Sequence, residues 1–288
     1  MINPRLVIAS DSTCDLGNEL TQKYGIKILP LTVNLGGALY ADGTEIDPDT
    51  IYAHYEKTGE LPKTSAINIA DFEAFFAEQT KDGVEVVFFT ISSTMSATYH
   101  NACLAAEEFP GVQVVDTQNL STGGGLLVLA AAEMAKEGKL NAAQIADTCR
   151  KMASRVDASF VIDNLEFLRK GGRCSALAAF GANLLNLKPC IVVKDGGMGA
   201  AKKYRGKFEV VLKQYITDRI GDGSDLETNR VFVTHAGCDA EIVNACVEQV
   251  RAMEIFDEVL ITRAGCTVSS HCGRNTLGVL FVRKSAVE

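Results

Sequence analysis

Tryptophan is absent from this 288-residue chain, and tyrosine occurs only 7 times. A platform of aromatic rings for stacking nucleic-acid bases is therefore excluded. No basic block occurs either. Lys and Arg total 28 against 36 Asp and Glu, a formal charge of −8. Such a balance is unsuited to wrapping a phosphate backbone or lying on an anionic membrane. No run of apolar residues is long enough to span a bilayer. The uncharged stretch 117–132 is broken by Gln118, Asn119, Ser121 and Thr122. Cysteine is not scarce, at 9, but the number is odd and no CxxC pair exists. Buried, reduced thiols are expected, with neither a disulfide framework nor a metal site. Residues 1–5 lead into a short apolar run that stops at Asp11. That is not the form of a signal peptide, so a cytoplasmic location is expected. The motifs GxSxG, GxxxxGK[ST] and HExxH are all missing, and Gly197-Met198-Gly199 lacks the third glycine of a dinucleotide loop.

What is present is an ordinary globular composition, 47% hydrophobic and 22% charged. The length suits about two domains. Strands are predicted at 6–10, 26–33 (with Pro30 at an edge or bend), 84–90 and 112–115. Helices are predicted at 16–24, 47–57, 70–80, 96–107, 120–136 and 142–155. Short connections between alternating elements imply a mainly parallel sheet covered on both faces. A second series follows, with strands at 160–162, 189–193, 230–234, 258–262 and 277–283. Its helices are expected at 165–170, 175–185, 208–220 and 239–253. Asp195-Gly196-Gly197 reads as a tight turn, and Lys202-Lys203-Tyr204-Arg205-Gly206-Lys207 as a basic turn. The expected architecture is α/β with two domains, 1–155 and a smaller 156–288.

Ligands of parallel α/β sheets bind beyond the carboxyl ends of strands. Two hydroxyl-rich segments sit there: Asp11-Ser12-Thr13 and Ser92-Ser93-Thr94-Met95-Ser96. Thr64-Ser65 precedes a third helix. Each Ser or Thr could be only a helix cap. Together they suggest a pocket for an anion such as a carboxylate or phosphate. His271, in Ser269-Ser270-His271-Cys272-Gly273, and His235, at a strand end, could each be a ligand donor, a base or a packed side chain. Arg169-Lys170-Gly171-Gly172-Arg173 is either a solvated surface or an anion site. A nucleophile among Ser96 or Cys272, with His271 as base, would make a hydrolase or transferase.

These segments, in this order, resemble the DegV family of bacterial fatty-acid-binding proteins. The resemblance rests on Asp11-Ser12-Thr13-Cys14-Asp15-Leu16, Leu61-Pro62-Lys63-Thr64-Ser65, Ile91 to Tyr99, Ser121 with Gly123 and Gly125, Leu168 to Arg173, and Gly278-Val279-Leu280-Phe281. It implies a long-chain fatty acid buried between two α/β domains, with no cofactor and no catalytic machinery. It assigns the carboxylate to Thr64 and Ser96, adds His271, Arg173 and Ser93, and implies a fatty-acid kinase as partner, met through Arg205. The chain departs from the family pattern at Ala97, at Ala66-Ile67 and at Arg274-Asn275.

Overall fold

A computed structural model of the chain describes residues 6–172 and 187–287. It opens with β1 (Leu6–Asp11), a 3-10 turn at Ser12–Cys14 and α1 (Gly17–Tyr24). β2 (Lys27–Leu29), β3 (Thr32–Leu35), β4 (Ala38–Ala41), α2 (Pro48–Thr58), β5 (Lys63–Ser65) and α3 (Ile69–Gln79) follow. β6 (Glu85–Thr90), α4 (Thr98–Ala106), β7 (Val112–Asp116), α5 (Thr122–Glu137) and α6 (Ala142–Ala153) come next. Then come β8 (Val156–Ile162), α7 (Glu166–Gly171), β9 (Leu187–Lys194), β10 (Gly197–Arg205), α8 (Phe208–Ile220) and β11 (Leu226–Ala236). The chain closes with α9 (Ala240–Ala252), β12 (Val259–Arg263), α10 (Cys266–Cys272) and β13 (Thr276–Arg283).

Three sheets result. The order β2-β1-β6-β7 is wholly parallel. The order β10-β9-β8-β13-β11-β12 is antiparallel except for β11 with β12. A small antiparallel sheet, β4-β3-β5, stands beside them. Side chains alternate across a strand, and β6 shows the consequence. Val86 and Phe88 pack on Phe72 and Phe76 of α3, while Val87 and Phe89 join the core around α5. Both faces of the parallel sheet are thus covered.

α5 explains the uncharged stretch. It lies between the parallel sheet and the six-stranded sheet, packing on β1, β8 and β13, and its first eight residues are all buried. A Cβ on Gly125 would come within 2.7 Å of the Cys14 carbonyl oxygen, so the helix and the turn after β1 touch backbone to backbone. β8 opens the second sheet at Val156, and one continuous core runs through α5 into both sheets. α8 and α9 cover the far face of the six-stranded sheet. Among the described residues, no helix is long and apolar enough to cross a membrane.

Two expectations need correction, and one helix was not expected. The extended segment 26–33 is two strands in different sheets, parted at Pro30, which cannot donate to a ladder. Lys202 to Arg205 is strand, the end of β10, and not a turn. Its pairing with β9 supplies the hydrogen bonds that the charged sequence hid. The polar stretch 269–272 is helical, because α10 is anchored from outside its own sequence. The helix expected at 175–185, Cys174 and Arg173 lie outside the described residues.

Candidate functional site

A cavity of about 240 Å³ opens beyond the carboxyl end of β6. Its polar wall is Thr64, Ser65, Ser96, Thr267 and His271; its apolar wall includes Leu31, Ile91, Met95, Leu120, Met198 and Val268. Thr64 is fixed by β5, where it pairs with Val33 of β3. Its Oγ1 lies 2.9 Å from His271 Nε2. Either group can donate; when Nε2–H donates to Thr64, the threonine hydroxyl is free to donate onward into the cavity. Ser96 ends the loop from β6 to α4. Its Oγ accepts the Thr98 amide at 3.2 Å and lies 2.9 Å from Thr98 Oγ1. Thr64, Ser96 and His271 therefore line one cavity.

The rest of the serine loop is structural. Ser92 is fully buried, and its hydroxyl donates to the Gly196 carbonyl at 2.6 Å, joined by Thr94. Asp195 and Gly196 carry φ of 50° and 75°, the left-handed pair of a two-residue hairpin turn. The clamp holds the β9–β10 hairpin, and hence Met198, against the loop. Ser93 is exposed, is not among the residues that line this cavity, and its amide donates to Asp116 at 3.2 Å. The Thr13 amide is likewise not offered to a ligand. Asp11 accepts Thr13 N, Thr13 Oγ1 and the amide of Ile91 itself.

α10 carries one wall of the cavity through Thr267, Val268, His271 and Cys272. Two buried aspartates hold its start. Asp42 accepts the amides of Cys266 at 2.7 Å and Thr267 at 3.1 Å, and Asp15 accepts that of Gly265 at 2.8 Å. Ser121 donates to Asp15 and Ser12 to Asp42. Burial pushes the Asp15 carboxyl well above the usual carboxylate range. From the other side, Gly171 at the end of α7 abuts the histidine: a Cβ there would lie 2.6 Å from His271 Nδ1. Gly171→Ala is expected to displace the imidazole and weaken head-group binding about tenfold, in line with one lost hydrogen bond to a charged group. Titration of the variant with a carboxylate ligand checks this; unchanged affinity would show the ring is not positioned by Gly171.

A narrow apolar passage of about 30 Å³ continues the cavity, sharing Leu120, Val268 and Cys272 with it. Ala158, Phe160, Val193, Ala236 and Leu280 of the six-stranded sheet line it. Leu126–Ala132 of α5 lines neither space. His235 follows Thr234, whose hydroxyl reaches Thr122 of α5, so alternation sends the histidine to the opposite face. Burial and the Arg263 charge hold His235 below its ordinary value. The described cysteines are free, and burial pushes Cys14, Cys149 and Cys190 up to about 12, so these remain thiols.

The DegV family model matches residues 5–284. The chain belongs to the DegV family. A DegV domain-containing protein of Clostridium acetobutylicum is 31% identical, over 97% of this chain and 99% of its own length. A structure described as fatty acid binding of a DegV family protein from Thermus thermophilus is 32% identical. It superposes with a TM-score of 0.87, covering 97% of this chain and 99% of that one. A stearic acid-binding protein from Eubacterium ventriosum is 27% identical, with a TM-score of 0.81 over 96% and 98% of the two chains. The Thermus and Eubacterium structures are described as binding fatty acids, and the mixed α/β fold of this chain is theirs.

In this DegV chain the other expected residues sit as follows. Ser96 pairs with Thr98 and His271 with Thr64, so the described bonds do not form the Ser–His pair of a nucleophilic enzyme. Among the described residues, no group of three His, Cys, Asp or Glu side chains could hold a metal. Arg205 is exposed at the far end of β10, seven residues from Met198, about 20 Å along a strand. The charged end of β10 is therefore remote from Met198 on the cavity wall. Lys202 is also committed elsewhere, to Asp218 of α8 at 2.6 Å, which holds that carboxyl below its usual range. Arg173 lies outside the described residues.

Proposed function

We propose that this DegV chain binds a long-chain fatty acid and presents its carboxylate to a fatty-acid kinase. One observation carries the reading: a cavity with Thr64, Ser96 and His271 on its wall runs on into an apolar passage along the six-stranded sheet. A polar end joined to an apolar passage suits an acid with a long tail. Each buried methylene contributes about 0.8 kcal/mol, so a tail of about 14 supplies roughly 11 kcal/mol before the cost of association. The hydroxyls need not supply affinity. They offset the several kcal/mol that an unpaired carboxylate would lose on burial. The resemblance adds Arg173 to this head-group set.

In this reading the chain performs no chemistry and needs no cofactor; the kinase brings the phosphoryl donor. A cytoplasmic carrier fits the reduced thiols. Mass spectrometry of lipid extracted from purified protein tests the proposal. One fatty acid per chain is expected; a bound phosphorylated sugar or nucleotide, or no lipid, would overturn it. Arg205 is proposed as a partner contact remote from the carboxylate. Arg205→Ala is expected to keep lipid binding and slow phosphorylation by the kinase, with less salt dependence. Wild-type rates at every ionic strength would remove that role.

A further inference from the structure

One hairpin, β9–β10, covers both chambers: Met198 lines the cavity and Val193 the passage. That hairpin overhangs its sheet. β10 is an edge strand, and the ladder of β9 with β8 runs only from Cys190 to Val192. Val193 to Met198 therefore project beyond that ladder, paired with each other across the turn. The tip has two faces. Lys194 and Asp195 are exposed, whereas Val193, Gly196 and Met198 are buried. Its base is fixed, because Lys202 and Tyr204 both donate to Asp218 of α8. Between base and tip the pairing is interrupted. Ala201 and Lys202 oppose Cys190 alone, a β-bulge, beside Pro189, which has no amide hydrogen to donate. A bulge bends its strand and breaks the ladder, so a hinge costs least there.

At the tip, the Gly196 carbonyl accepts two hydroxyls from the loop after β6, that of Ser92 at 2.6 Å and that of Thr94. The loop end of this tie is anchored. The Ser92 amide donates to Asn119, and the Ser92 carbonyl accepts the amides of Met95 and Ser96. Neither Ser92 nor Thr94 is among the residues that line the two chambers, so these bonds act on the hairpin and not on a ligand. A long tail in a passage of about 30 Å³ leaves slowly along its own axis. Raising the tip would uncover both chambers from the side. We infer that the hairpin is a flap over the bound lipid, and that Ser92 and Thr94 are the latch that sets the rate of lipid exchange. This rests on the fatty-acid reading above. The latch is the same with and without lipid, so loosening it raises the open fraction in both states. Entry and exit then speed up together, and affinity hardly changes.

The test measures palmitate association and dissociation rates by stopped flow on the full chain. It compares wild type, the double variant Ser92→Ala with Thr94→Val, and the pair Ser92→Cys with Gly196→Cys. The double variant loses both donors. Both of its rates are expected to rise about thirtyfold, the worth of two ordinary hydrogen bonds, with Kd within about threefold of wild type. In the cysteine pair, a Cβ at Gly196 would lie 2.7 Å from the Ser92 Oγ position, within reach of a disulfide. Gly196 has φ of 75°, so the reduced pair is compared with its own oxidised form. Oxidation with diamide should slow both rates about tenfold or more, and dithiothreitol should restore them. Wild type treated alike controls for the native thiols. Unchanged rates in the double variant, or unslowed exchange in the disulfide-closed pair, would overturn the flap. So would faster dissociation alone with Kd weakened in proportion, which would place the loop in the head-group site. Each of these leaves palmitate binding, and the carrier reading, intact. Wild-type protein that binds no palmitate would overturn both.

Discussion

Asp42→Ala is expected to lower the unfolding free energy by about 3 kcal/mol or more and to abolish tight fatty-acid binding. Asp42 is 2% exposed, and its carboxylate takes the amides of Cys266 and Thr267 and the hydroxyl of Ser12. Removing it orphans three donors in a buried place, each costing about 1–3 kcal/mol when unsatisfied. Two of them start α10, the helix that carries Thr267 and His271. Loss of stability and loss of binding should therefore come together. Asp49→Ala supplies the contrast. Asp49 pairs with Arg263 at 2.9 Å, but both side chains are solvent-accessible. A surface pair of this kind is worth about 0–1 kcal/mol. Urea unfolding of both variants, with palmitate titration, checks the difference. Equal, small effects would mean that α10 holds itself without the aspartate.

The parts of the fold legible in the sequence are those with strong local periodicity. α8 lies at the predicted residues 208–220, and β6 follows from an apolar run buried on both faces. The small sheet was hidden because β3, β4 and β5 are three or four residues long and owe their existence to one another. α10 was hidden for a related reason. Its residues Ser269, Ser270 and Cys272 are poor helix formers, and its start depends on Asp42 and Asp15, more than 200 positions away. Thr64, Ser96 and His271 were reached through the order of motifs resembling a family, since no single one is distinctive. Thr267 carried no signal at all, because its spacing from His271 means something only once residues 266–272 are known to be a helix. That Asp11, Asp15 and Asp42 are buried, as Asp157 also is, was not readable from the sequence. Burial of an acid that the fold itself surrounds with donors is a tertiary property.

One of those aspartates gives the protein a pH signature. Asp11 is fully buried, and desolvation pushes its carboxyl from the ordinary 3.8 up to about 6, against the hydrogen bonds from Thr13 and Ile91 that pull it down and with the Asp42 charge that adds to the rise. A carboxyl raised on folding binds its proton more tightly in the native state, so its stabilising contribution is complete below pH 3.8 and is lost as pH rises through about 6. The gap corresponds to about 3 kcal/mol in total, of which about 1 kcal/mol is recovered between pH 7.5 and pH 5. Asp15, raised by the same cause, acts in the same sense. Other groups oppose it. His235, held low by burial, favours the native state at higher pH, and Asp49 and Asp218, held low by Arg263 and Lys202, lose stability only in stronger acid. Comparison of wild type with Asp11→Asn cancels these shared terms. Denaturant unfolding at pH 7.5 and pH 5 should show wild type gaining about 1 kcal/mol more than the asparagine variant on acidification. Parallel pH profiles for the two proteins would mean that Asp11 titrates as an ordinary solvated carboxylate. Ile91, the last amide that Asp11 holds, also lines the head-group cavity. The same comparison made with palmitate bound therefore reports whether that charge is felt by the ligand.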